Sequence, residues 1–240
     1  MNKLYIYLPI IFCLVLFFVF FAQGGPASGG HSILLNIIIG YSLIIILSLV
    51  SGIILIKGKI KKRWPILLQI MVLSASALVF FLFLNGIFWQ IVFVLFFSGA
   101  SSFFLFHIWQ FFYQPRLCQP EALERMSFWL NFVIIYWVLV GLGMTLGLEP
   151  LKGLFFLSLI LVFVLFFWMA YYLNFIKGDD FKLIKIDSLI ITLVLTEIYL
   201  AINFLPLGVY FNALIISILY SIISDTNTLI HTNDANKTYS

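Results

Sequence analysis

Long apolar runs separated by short polar gaps divide the chain into about eight segments, near residues 4–22, 32–56, 65–84, 87–106, 127–148, 153–175, 186–204 and 208–224. A helix rises about 1.5 Å per residue, so some 20 residues span a hydrocarbon layer about 30 Å thick. The runs are uniformly apolar and lack the alternating segments of about ten residues that a transmembrane β-barrel needs. The pattern therefore predicts an all-α, polytopic transmembrane helical bundle. One transmembrane domain occupies 1–224, and a polar, frayed tail follows over 225–240. Asn85-Gly86, Glu149 to Lys152 and Pro206 to Gly208 read as tight turns between paired helices. Residues 107–126 read as the longest internal loop, with Trp109, Phe111, Phe112 and Tyr113 at headgroup depth. Within it, Pro120 followed by Glu121 resembles a helix first turn, where a proline loses nothing and an acid suits the helix dipole. One continuous helix is expected from Pro120 into the fifth span.

Charge gives this outline an orientation. Twelve of the thirteen Lys and Arg residues fall on one side of the expected membrane, led by the cluster Lys57, Lys59, Lys61, Lys62 and Arg63; Lys152 alone falls on the other. Short loops rich in Lys and Arg stay cytoplasmic, which places both termini inside; the expected location is a bacterial inner membrane. Lys3 ahead of the first span and Gln23-Gly24-Gly25-Pro26 behind it also fit a cleaved signal peptide. The apolar run exceeds the usual 7–15 residues of a signal, so a retained anchor is the preferred reading. Cleavage would leave seven spans in the same orientation.

Composition narrows the classes further. At 240 residues, 64% hydrophobic and 9% charged, with a mean hydropathy of +1.17, the chain leaves no stretch for a soluble domain. The net charge of +4 is accounted for by topology and calls for no nucleic-acid partner. The lipid bilayer is the partner that composition demands, with other membrane proteins next. Cys13 in an apolar run and Cys118 in a cytoplasmic loop do not suggest a disulfide, and no CxxC or HxxxH spacing suggests zinc. No P-loop, Gly-rich nucleotide loop or GxSG nucleophile motif is present, so no cofactor is expected. Glu121-x-x-Glu124-Arg125 resembles the acidic motif of intramembrane CAAX-type proteases. Those enzymes also need His residues in later spans, and the later His here is His231 in the tail, so that reading is rejected.

Glu197 is the one ionisable side chain well inside a span, about 10 Å from its outer end at 1.5 Å per residue. Burying a charged carboxylate at such a depth costs about 2.5–3.5 kcal/mol on insertion scales. The expectation is that it points into the bundle toward a polar neighbour, with Asn212 on the last span the first choice. Gln90 and Tyr199 complete a candidate intramembrane polar site; Asn85, Trp89, Asn203 and Tyr210 lie near turns at the same end. A second candidate site is the cytoplasmic loop around Arg116, Glu121 and Arg125. Small residues at Ser74 to Ala77 and Ser98 to Ser102, and Gly143 with Gly147 in GxxxG spacing, permit close helix approach, for which packing within the chain is the simple explanation. His107 has no neighbouring His or acid and reads as a membrane-interface residue.

The stretch from Glu197 to Leu214, with its acidic residue ahead of the Leu205-Pro206 turn, and on to Tyr220, resembles an uncharacterised family of small bacterial polytopic membrane proteins. The resemblance covers roughly 30 residues and implies a membrane fold with no activity attached. The first functional expectation is thus a non-catalytic structural or assembly component of the membrane. The alternatives are a small-molecule or ion transporter using Glu197 in a polar pocket, and a membrane enzyme acting on lipid-linked substrates in a groove beside Arg116, Glu121 and Arg125.

Overall fold

A computed structural model of the chain describes residues 46, 50–54, 60–84, 86–113, 120–147, 155–177, 181–205 and 207–238, leaving aside the side chains of 60–63, 87, 112, 120–122, 177, 181–183 and 227–238. Among these residues all regular structure is helical. The helices are α1 (Ile60–Leu82), α2 (Ile87–Tyr113), α3 (Pro120–Leu146), α4 (Phe155–Lys177), α5 (Phe181–Asn203) and α6 (Val209–Thr238), preceded by helical residues at 50–54. All six named helices are long and apolar enough to cross a membrane, which makes the chain a multi-pass membrane protein by length and composition. The first expected span and most of the second, with the 57–59 part of the basic cluster, lie outside the described residues.

Four helix ends differ from the sequence expectation. Helix α1 starts at Ile60, five residues ahead of the expected 65, with Pro65 inside it. Helix α2 does not stop near Phe106 but runs through His107 to Tyr113. Ile108 and Trp109 are buried on it, so Trp109 packs in the protein and not among headgroups. The stop falls two residues before Pro115, which lacks a backbone N–H and disfavours helical geometry in the residue before it. Helix α5 starts at Phe181, five residues ahead of the expected Ile186, and α6 continues to Thr238 through the tail that polarity marked as frayed. No Gly or Pro interrupts residues 209–238. Helix α3 is the single helix that Pro120 predicts, unbroken into the fifth span.

The chain divides into two compact units, 1–75 with 84–123, and 76–83 with 124–240. In the first, Gly52 lets a helical turn approach α1 closely: a Cβ there would sit 2.6 Å from Ile70 Cδ1. Its buried residues include Ile66, Ile70, Phe97, Phe104 and Leu105. Gly86 opens α2 with φ of +93°, a conformation that disfavours a side chain. In the second unit α4 and α5 pack along one another as a hairpin, and α6 packs on α5. Gly143 of α3 faces Val209 of α6, and Gly141 faces Val79; a Cβ at either would collide with the valine. The close approach of Gly143 is thus used within the chain. Gly147 meets only carbonyls of its own helix end.

Candidate functional site

Helix α5 sets the position of Glu197. Its buried residues are Ile184, Ser188, Ile191, Thr192, Leu195, Tyr199 and Ile202, a stripe of three- and four-residue steps. Glu197 is two residues from Leu195 and two from Tyr199, so at about 100° per residue it lies on the far side of the helix. It is exposed, in a surface otherwise formed by Ile190, Leu193, Val194 and Ala201. It makes no hydrogen bond or ion pair among the described residues. The inward orientation expected for Glu197 is therefore corrected. Both faces of α5 are apolar, and the face with Ser188, Thr192 and Tyr199 is the one packed inward. Ser188 donates to the Ile184 carbonyl and Thr192 to the Ser188 carbonyl.

The rest of the expected intramembrane site does not converge. Asn212 is half-buried, with its Oδ1 unpaired among the described residues, and no hydrogen bond joins it to Glu197. Gln90 Nε2 donates to the Leu84 carbonyl at 3.1 Å, closing the turn between α1 and α2. Tyr199 is buried, with its hydroxyl toward Ser158 of α4. Asn203 donates to the Tyr199 carbonyl of its own helix. Among the described residues, no hydrogen bond joins Gln90, Tyr199, Asn203 or Asn212 to Glu197.

Polar side chains converge at the other end of the second unit. Asn131 of α3 is fully buried and donates from Nδ2 to the Met169 carbonyl of α4 at 3.2 Å and to the Tyr220 hydroxyl of α6 at 2.9 Å. Ser224 lies beside the Tyr220 hydroxyl, one turn further along α6. Asn174 of α4 donates to Ser188 Oγ of α5 at 3.4 Å. The Tyr172 and Ser127 hydroxyls lie against each other, fully buried, yet neither completes a hydrogen bond of good geometry. Four helices are thus tied together through amides and hydroxyls. Sequence reasoning missed Asn131 and Asn174 because it followed charge. Their one sequence mark is an amide inside an apolar run, where membrane packing must supply a partner.

Just beyond this network, at the Lys- and Arg-rich helix ends, a pocket of about 230 Å³ opens between α3, α4 and α6. Its lining is Glu124, Arg125, Phe128, Trp129, Leu173 and Asp225. Of the expected loop site, Arg125 is in this lining, Glu121 is on the same helix with its side chain outside the described set, and Arg116 lies outside the described residues. Glu124 and Arg125 both engage neighbours. Among the described residues, no three His, Cys, Asp or Glu side chains come together. His107, continuous with α2, packs edge-on against Phe103 at 4.5 Å between ring centres. No family model, curated protein or solved structure matches the chain.

Proposed function

We propose that the chain is a non-catalytic assembly component of a bacterial plasma membrane, with eight spans and both termini cytoplasmic, that docks another integral membrane protein on the exposed face of α5. The observation carrying this reading is Glu197, a carboxyl on an apolar surface without a hydrogen-bond or ion-pair partner among the described residues. It sits six residues, about 9 Å at 1.5 Å per residue, from Asn203 at the end of the apolar span. A carboxyl facing hydrocarbon at that depth is costly, whereas a neighbouring helix can supply its partner. The partner chemistry follows: a transmembrane helix with a Lys, an Arg or an amide donor at matching depth. A symmetric pairing of two copies on this face would set carboxyl against carboxyl, so a different protein fits better.

The test is photo-crosslinking in intact membranes from positions 194 and 201, which flank Glu197 on the exposed face. A discrete protein adduct is expected at both, lost in Glu197→Leu while the variant keeps its thermal stability. Adducts with lipid alone, or with a second copy, would sink this reading.

A further inference from the structure

The pocket between α3, α4 and α6 carries features that the assembly role does not use. Three of its features point to one ligand chemistry. The first is depth: the apolar spans of these helices end at Leu123, Ile176 and Thr226, so every lining residue lies within two turns of a membrane boundary. The second is charge of both signs, one guanidinium from Arg125 against the carboxylates of Glu124 and Asp225. A guanidinium suits a phosphodiester in forked geometry, and carboxylates suit an ammonium. The third is the aromatic wall. Trp129 is 62% exposed beside half-buried Phe128, offering rings at the depth where indoles favour the headgroup boundary. A volume of about 230 Å³ is small for a drug-sized ligand, for which sites begin near 300 Å³.

We propose that this pocket binds the headgroup of a zwitterionic phospholipid, with the phosphate at Arg125, the ammonium between Glu124 and Asp225, and the acyl chains leaving past Trp129 into the bilayer. Among the described lining residues, two carboxylates to one guanidinium disfavour a headgroup of net negative charge. The test is native mass spectrometry of the full chain, delipidated in mild detergent and titrated with phosphatidylethanolamine, phosphatidylglycerol or free phosphoethanolamine. One phosphatidylethanolamine should bind at least about fivefold more tightly than phosphatidylglycerol, and free phosphoethanolamine should not compete at equal concentration. Asp225→Asn should abolish the preference while phosphatidylglycerol still binds. Arg125→Gln should weaken both lipids about tenfold, and Trp129→Leu, at an exposed position that the fold does not need, should weaken phosphatidylethanolamine. Equal or tighter phosphatidylglycerol binding, or an unchanged preference in Asp225→Asn, would overturn the assignment. Competition by free phosphoethanolamine would place the site in the aqueous phase and overturn the lipid as its source.

Discussion

Asn131 offers the sharpest test of how the α3–α4–α6 contact is held. Replacing it with Leu keeps most of the volume, so the cavity term is small. The change removes two hydrogen bonds, to the Met169 carbonyl and the Tyr220 hydroxyl. Hydrogen bonds between membrane helices average about 0.6 kcal/mol and reach about 1.7 kcal/mol. Two therefore contribute about 1–3 kcal/mol. The low end is expected for the bond to Met169, whose carbonyl also serves its own helix. Tyr220→Phe removes one of the same bonds from the other side. A double-mutant cycle with Asn131→Leu and Tyr220→Phe should give a coupling of about 0.6–1.7 kcal/mol. The assay is reversible unfolding in mixed micelles, following helix content against the mole fraction of denaturing detergent for the parent, both single variants and the double. Independent sites add to within about 0.3–0.5 kcal/mol. A coupling below that margin would mean that the amide and the phenol do not hold each other.

A Cβ at Gly143 would meet Val209, so Gly143→Ala should lower stability by about 1–3 kcal/mol through overpacking. A Cβ at Gly99 meets nothing within 4 Å, so Gly99→Ala should unfold with the parent, and equal losses in the two variants would contradict this packing. Orientation can be read in intact cells with an impermeant thiol reagent. Cysteines placed at Ser28 and Lys152 should be labelled, while those at Lys61 and Lys182 should not, and strong labelling at Lys61 would reverse the topology.

Apolar runs and breakers are local properties, and here they carried far. Six runs became six helices of membrane length, Pro120 began a helix that continues into its span, and Asn85-Gly86 marked a turn that Gly86 closes with a positive φ. Helix ends were less legible where polarity changes but backbone hydrogen bonding need not. His107 lowers the hydropathy of α2 without stopping it, and the tail of α6 turns polar with no breaker in it. Which face of each helix is buried was not legible at all. In a membrane, lipid and protein interior are both apolar, so the 3.6-residue period that marks a buried face in water fades. Glu197 was expected inside because a buried partner was the cheapest way to satisfy it. The packing of Ser188, Thr192 and Tyr199 instead turned that side of α5 inward and left the carboxyl on the surface. Arg125 could be named from its place near a helix start, but Leu173 and Asp225 lie about fifty and one hundred residues further along. Only the meeting of α3, α4 and α6 makes them one pocket, because a cavity is a property of several helices and no single segment encodes it.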